Sequence, residues 1–270
     1  MMKKITTILL LTLVFSSCGE YQKVLKSDDY NYKYTKAVAY YEAEDFNRAM
    51  PLFNELSTVL RGTAKMQEVS YYFAYCHYSA SDNLMAAYLF KNYTQNYPNG
   101  KHAEECAYMS AYCYYLEAPD YSLDATNNYK AINELQTFVD RFPLSDRVEK
   151  CNLLLDELRT VLSKKAFENA KQYFTTENYK SAIIALENVL IDFPSYSNRE
   201  EVYFLIVKSS YLLAINSIST KVISRLKSTL DAYTQFKDNY PNSDLIKDLE
   251  NTYNKTKQTL TELKEKKDEI

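Results

Sequence analysis

Two short segments of the chain combine cysteine, histidine and tyrosine, side chains that bind metal ions or carry redox chemistry in many proteins. The first reads AYCHY at residues 74–78, and the second reads AYCYY at residues 111–115. A cysteine beside a histidine could contribute two ligands to a metal site. A similar segment that returns after 37 residues could instead mark a repeated structural unit. The rest of the chain decides between these two interpretations.

The chain contains few residues that could act as catalytic groups or as metal ligands. The chain has two histidines, His77 and His102, and no C-x-x-C, so the spacing of a zinc site is missing. Its three glycines, Gly19, Gly62 and Gly100, cannot build a dinucleotide-binding or phosphate-binding loop. No Ser-His-Asp arrangement can be argued from the spacing. We therefore expect no enzymatic activity, no metal site and no cofactor apart from a covalent lipid.

The cysteines beyond the N-terminal region fit a structural role. Cys76, Cys106 and Cys113 fall within apolar helical patterns, where free cysteine behaves as a small buried hydrophobic residue. In an exported protein, however, Cys76, Cys106, Cys113 and Cys151 could also form disulfides. The sequence leaves their redox state open.

The N-terminus has the pattern of a secretory signal. Lys3 and Lys4 precede the apolar run ITTILLLTLVF and then small residues, and the run is shorter than the roughly 20 residues that span a bilayer. The segment FSSC at residues 15–18 resembles a bacterial lipobox. We therefore expect a signal peptide at 1–17, acylation of Cys18 with lipid such as palmitate, and a lipidated linker at 18–27. The alternative is an ordinary signal peptide with a chance cysteine.

The charge balance excludes one class of partner. Removal of residues 1–17 takes away two of the 32 basic residues and none of the 35 acidic ones. No basic cluster stands out in the remaining chain. Because nucleic-acid binding depends on concentrated positive charge, we expect no nucleic-acid partner.

A repeated unit explains the two tyrosine-rich segments. Each is followed by an amphipathic segment that closes on an aromatic residue and a proline, and two further segments close in the same way. These endings are Tyr97-Pro98, Phe142-Pro143, Phe193-Pro194 and Tyr240-Pro241. Proline disfavours helical conformation in the residue before it, so each ending predicts the end of a helix. In three units an alanine stands 12 residues before the proline, at Ala86, Ala131 and Ala182.

The helix pairs resemble the tetratricopeptide repeat family. The first unit carries its marks at Ala37, Tyr40, Asp45-Phe46, Ala49 and Phe53, and the fourth at Ala170, Tyr173, Asn178-Tyr179, Ala182, Leu186 and Pro194. The resemblance implies an all-α solenoid of about five helix pairs, near 28–60, 65–97, 101–141, 146–192 and 197–239. A polar helix from about residue 243 would cap it. Units three and five carry extra residues between their helices, most clearly at 116–127. We assign repeats 1–3 to 28–141, and repeats 4–5 with the cap to 142–270.

The tetratricopeptide resemblance also implies a binding groove. In that family the first helix of each pair lines the concave surface, and the equivalent positions here hold Val38 and eight tyrosines. These tyrosines, which we call the tyrosine wall, are Tyr34, Tyr41, Tyr71, Tyr75, Tyr78, Tyr108, Tyr112 and Tyr115. Tyrosine offers a large rigid contact area and a hydroxyl, which suits binding of an extended peptide. The alternative is that these side chains pack between helices.

Taken whole, the sequence resembles the BamD family of outer-membrane assembly lipoproteins, in the form found in Bacteroidota. The resemblance rests on Cys18, on the segment at 21–56 that follows it closely, and on the five repeats. It implies a non-catalytic lipoprotein on the periplasmic side of the outer membrane. Its partners would be the periplasmic region of a BamA-like barrel protein, through the C-terminal repeats, and unfolded outer-membrane proteins, through the N-terminal ones.

Two other functions remain open. A repeat-scaffold lipoprotein of the envelope, gliding or secretion machinery would differ only in its partner. A SusD-type glycan-binding lipoprotein also uses helical repeats, but such chains are much longer and stack sugars on tryptophan. This chain has no tryptophan.

Overall fold

The computed structural model describes residues 19–268, with side chains described to residue 265. Cys18 and the predicted signal peptide lie outside the described residues. All regular structure within 19–268 is α-helical. A short helix, α1, covers residues 19–25. The helices that follow are α2 (Tyr30–Glu42), α3 (Phe46–Val59), α4 (Met66–Ser79), α5 (Asn83–Asn96), α6 (Ala103–Leu116), α7 (Thr126–Arg141), α8 (Val148–Thr175), α9 (Tyr179–Asp192), α10 (Arg199–Ile215), α11 (Ser219–Asn239) and α12 (Ile246–Asp268).

These helices confirm the predicted all-α fold of helix pairs. The pairs α2–α3, α4–α5, α6–α7, α8–α9 and α10–α11 begin and end within three residues of the predicted bounds. Helix α12 follows as the polar terminal helix and packs on α11 and α10. None of the helices among residues 19–268 has both the length and the apolar character needed to cross a bilayer.

The chain forms two compact units. The first comprises residues up to Pro119 together with Asp124–Leu155, and the second comprises Asp120–Leu123 together with residues from Asp156 onward. The first core contains residues from α1 to α4, including Val24, Phe53 and Cys76. In the second unit, Phe167 of α8 and Leu186 of α9 pack with residues of α10, and further clusters join α10, α11 and α12.

Tight turns join the two helices of pairs one, two and four. Glu44, Ser81 and Glu177 each have a positive φ of 57° to 60°. The next residue then donates its backbone N–H five residues back, as from Asp45 to Tyr40 at 2.8 Å and in the same way from Asp82 and Asn178. This is the Schellman arrangement, which satisfies the last carbonyl groups of a helix. Asp45, Asp82 and Asn178 also directly precede the next helix. One short turn therefore ends the first helix of the pair and leads into the second.

The aromatic-proline endings also adopt one shared geometry. Tyr97, Phe142, Phe193 and Tyr240 each donate a backbone N–H to the residue four positions earlier, at 2.8–3.1 Å. In three of them the ring packs against an aromatic side chain of its own helix, with centroids 5.3–5.7 Å apart. The predicted helix end is therefore reinforced by local ring packing.

The extra length of units three and five takes two forms. In unit three it is a loop at residues 117–125, and the buried Asn128 donates from Nδ2 to the carbonyl oxygen of Pro119 at 3.2 Å. In unit five the prediction was wrong, because only residues 216–218 separate α10 from α11. The added residues lengthen α11 to 21 residues, against 14 in α9. No proline interrupts this stretch, so the helix simply continues.

Candidate functional site

The tyrosine wall lies in the first unit, on the first helices α2, α4 and α6 of the first three pairs. Seven of its tyrosines are half-buried, and Tyr108 is buried with 6% of its surface exposed. Val38 is half-buried as well and packs against the first core. Each ring therefore contacts the protein on one side.

On α4 the wall is a row of three aromatic rings, one of which packs against a buried side chain. The ring centroids of Tyr71 and Tyr75 are 4.9 Å apart, and those of Tyr75 and Tyr78 are 6.3 Å apart. Tyr75 also packs edge-on against the buried Phe90 of α5, at 4.9 Å. Tyr75 thus supports the helix pair, whereas the ring contact of Tyr78 is with the half-buried Tyr75.

On α6 the wall becomes a stack of nearly parallel rings. Tyr108 and Tyr112 are 5.8 Å apart with planes inclined by 11°, and Tyr112 and Tyr115 are 6.0 Å apart with planes inclined by 17°. Their sequence offsets of four and three residues place them on one stripe of the helix. Tyr108, at the inner end, packs edge-on against the buried Phe138. Tyr112 and Tyr115 continue the stack toward the surface.

The α2 tyrosines join the rest through Tyr72, a residue that the sequence prediction missed. Tyr72 packs against Tyr41 at 4.8 Å and against Tyr71 at 5.5 Å. Its ring also stacks on the buried Phe53 at 5.5 Å. The only signal in the sequence was its position next to Tyr71. The side chain of Lys65 lies over the ring of Tyr34, with Nζ 5.5 Å from the centroid.

A carboxylate, Glu105, lies at the centre of the wall. Tyr75 donates its hydroxyl to Glu105 Oε1 at 2.5 Å, and the hydroxyl of Tyr71 lies 3.3 Å from both oxygens. Burial, together with the negative charge of Glu105, raises the pKa of both tyrosines. Both hydroxyls therefore stay protonated and act as donors. Glu105 was not among the residues predicted for the site, although an equivalent Glu68 stands 37 residues earlier, at the same position of the preceding unit.

His102 is held against this carboxylate. Its ring stacks on Tyr71 with centroids 3.9 Å apart. Nδ1 lies 3.7 Å from Glu105 Oε2, and Nε2 lies 3.5 Å from Glu68 Oε2. These contacts join α4 to the start of α6. His102 is thus part of the packing beneath the wall rather than of a metal site.

Two cations from the start of α8 border the α6 stack. Lys150 Nζ lies 5.0 Å from the ring centroid of Tyr112 and 5.6 Å from that of Tyr108. The guanidinium of Arg147 lies 5.3 Å from the centroid of Tyr108 and 3.6 Å from Glu104. Lys150 is exposed. This end of the wall therefore presents positive charge next to aromatic faces.

The cysteine-histidine segment that first suggested metal chemistry is structural. Cys76, Cys106, Cys113 and Cys151 are free and buried. Burial raises the pKa of the Cys76 and Cys113 thiols to about 12, so both are protonated at neutral pH. His77 pairs with Asp82 at 2.9 Å. Between residues 19 and 268 no group of three His, Cys, Asp or Glu side chains could hold a metal ion.

Comparison with known proteins gives the family. Among solved structures, the TPR2AB domain of yeast Sti1 in its pHSP90 complex is similar at a TM-score of 0.40 and 16% identity, over 84% of this chain and 98% of that chain. No curated protein matches the chain at a significant level. The model of the family described as outer membrane lipoprotein, YfiO, matches residues 26–226. Because this match covers well over half of the sequence, the chain belongs to the YfiO family of outer membrane lipoproteins, which are BamD-like.

Proposed function

We propose that this protein is a non-catalytic subunit of the β-barrel assembly machinery of the outer membrane. A signal peptide at 1–17 would direct export, and acyl chains on Cys18 would hold the protein on the periplasmic side of the membrane. The observation that carries the proposal is the YfiO family match over residues 26–226. The lipobox-like FSSC supports the lipid anchor.

The tyrosine wall would bind unfolded outer-membrane proteins. Exposed parts of Tyr78, Tyr112 and Tyr115 offer aromatic faces to an extended segment, and each aromatic contact contributes roughly 0.5–1.5 kcal/mol beyond the area it buries. Lys150 adds a cation at one end. Such a surface suits chains that are rich in aromatic residues and lack stable structure. Binding, with no bond made or broken, would be its contribution.

The second unit offers a surface for a BamA-like periplasmic region. An open cleft of about 390 Å³ lies between α9, α10 and α11. Ile183, Ile184, Ile206, Leu213 and Ala232 give it an apolar lining. The cleft is bordered by two basic residues, Lys180 and Arg225, and by two acidic residues, Glu187 and Asp231. An apolar centre with a charged border is the usual composition of a protein interface.

A pull-down from native membranes tests the proposed complex. The tagged, lipidated protein should co-purify with a BamA-like barrel protein, identified by mass spectrometry. Ile184→Lys places a charge in the cleft and should reduce that capture. Ile191→Lys is the matched control, because Ile191 is on the same helix, is 74% exposed and lies outside the cleft. A purification that never yields a barrel protein would contradict the proposal.

A peptide-binding assay tests the wall independently. The double variant Tyr78→Ala with Tyr112→Ala should weaken binding of aromatic-rich segments of outer-membrane proteins by about tenfold or more, from two lost aromatic contacts. Fluorescence anisotropy measures the affinity, and circular dichroism confirms the helical content. Tyr114→Ala is the control, since Tyr114 is on the same helix under Lys130 and outside the wall. Equal affinities in all variants would assign the tyrosines to packing alone.

A further inference from the structure

A buried lysine ties the N-terminal helix α1 to the first helix pair. Lys33 of α2 is 1% exposed, and its Nζ donates to the carbonyl oxygen of Leu25, at the end of α1, at 3.1 Å. The same Nζ pairs with Glu55 of α3 at 2.6 Å. A buried ammonium needs such partners, because an unpaired charge away from water is strongly unfavourable. Lys33 therefore joins three helices at one point.

The rest of α1 is docked on the same helix pair. Val24 is fully buried in the first core. Tyr21 packs edge-on against Tyr40 at 5.7 Å and donates its hydroxyl to the carbonyl oxygen of Arg48 at 3.3 Å. Near the start of the helix, Glu20 pairs with Lys36 at 2.6 Å. Contacts along most of its length thus fix α1 on α2 and α3, within the region where the sequence predicts a linker.

We infer that α1 is a rigid spacer that holds one edge of the first helix pair against the phospholipid headgroups. The inference rests on the acylation of Cys18 in the proposed function. Cys18 directly precedes α1, so Gln22 would lie within about 15 Å of the acylated residue even if the intervening chain were extended. A free linker of ten residues would instead have an end-to-end distance near 17 Å and no fixed direction.

The edge that the spacer brings to the membrane has interfacial side chains. Tyr32 is 39% exposed, and its ring centroid lies 5.9 Å from Lys36 Nζ. Lys36 in turn contacts Glu20, two residues beyond Cys18. Lys23 and Lys26, which lie between Glu20 and Tyr32 in the sequence, are exposed, as are Asp28 and Asp29. Tyrosine is favoured at headgroup depth, and lysine interacts favourably with lipid phosphates. The lipid surface is therefore the partner that this edge fits.

The absence of tryptophan from the chain permits a direct test. Tyr32→Trp gives a single fluorescent reporter in the full-length lipidated protein, and Tyr129→Trp, at an exposed tyrosine of α7, gives a control reporter. Each protein is bound to phosphatidylcholine vesicles whose acyl chains are brominated near the headgroup. We expect a roughly twofold or greater loss of fluorescence for Tyr32→Trp, which would lie in the interfacial region, and little loss for Tyr129→Trp.

Two further variants test the rigidity of the spacer. A Gly-Ser linker of about 20 residues, placed between Cys18 and Gly19, should abolish most of the quenching, because its end-to-end distance is near 25 Å. Lys33→Met should reduce the quenching by freeing α1. A protein that floats with the vesicles but shows no quenching would overturn the inference alone, as would quenching that survives the linker. A protein that does not float would overturn the lipid anchor, and the inference with it.

Discussion

Glu105 fixes two tyrosines of the wall, both on α4. It accepts hydrogen bonds from the hydroxyl groups of Tyr71 and Tyr75 of the preceding pair and lies beside His102. A carboxylate that is partly removed from water is stabilised by such donors, and the donors in turn are held in one orientation. The geometry of the aromatic row on α4 is therefore set by a residue of α6.

Tyr75→Phe should lower the free energy of unfolding by about 1–2 kcal/mol, because it removes a hydrogen bond to a charged acceptor and keeps the ring. Urea denaturation measures the change, which should move the midpoint and leave the slope unaltered. Tyr78→Phe is the control, since its hydroxyl contributes no side-chain bond to Glu105. A loss of equal size in both variants would refute the assigned role of the Tyr75–Glu105 bond.

At the scale of elements, the four aromatic-proline endings share one backbone hydrogen bond but differ at the second residue after the proline. In pair two this residue is Gly100, where Ser145 and Ser243 stand in pairs three and five. The space beside Gly100 is filled by Gln67, whose Nε2 donates to the hydroxyl of Tyr93 at 2.6 Å. A Cβ at position 100 would lie 2.3 Å from Gln67 Nε2 and 2.9 Å from that hydroxyl. Neighbouring side chains, rather than the turn itself, leave no room for a Cβ here unless Gln67 shifts.

Gly100→Ala should therefore destabilise the protein by about 1–3 kcal/mol, the usual cost of adding a methyl group to a filled space. Thermal unfolding followed by circular dichroism measures the effect. Ser195→Ala, which adds no atoms at an exposed position of the corresponding turn of pair four, should change the melting temperature far less. The double variant Gly100→Ala with Gln67→Ala should recover part of the loss. A Gly100→Ala protein as stable as wild type would show that Gln67 can move aside.

At the scale of the whole molecule, buried thiols make the free energy of unfolding depend on pH in the alkaline range. Burial raises the pKa of Cys76 and Cys113 to about 12 and that of Cys151 to about 11, from an ordinary value near 9. Above pH 9 the unfolded chain loses these protons and the folded chain keeps them. The stability they contribute is thus fully present below pH 9 and is lost as the pH rises toward 12.

The free energy of unfolding should fall between pH 9 and pH 11, by up to about 1.4 kcal/mol per pH unit for each thiol. Urea titrations at several pH values measure the slope. Cys76→Ala removes one such group and should flatten the slope. If the wild type and the variant lose stability in parallel, other groups must dominate the alkaline transition.

The repeat pattern of the sequence determined the helices and their pairing. Alanine and large apolar residues at helical spacing give each helix one buried face, and proline after an aromatic residue ends the second helix of each pair. Both effects are local, acting within a few residues, so they could be predicted from the sequence alone. The same reasoning failed in unit five, where nothing local distinguishes an inserted loop from a longer helix.

Only the tertiary structure decided which side chains meet. Glu105 lies 30 residues from Tyr75, and Lys33 reaches Glu55 of the next helix, contacts that no helical period can predict. It also decided that Tyr75 is anchored on Phe90, that Tyr72 joins α2 to α4, and that α1 is docked. The physical reason is that the sequence gives each helix its apolar face, while the partners of half-buried polar and aromatic groups depend on how neighbouring helices are rotated and spaced.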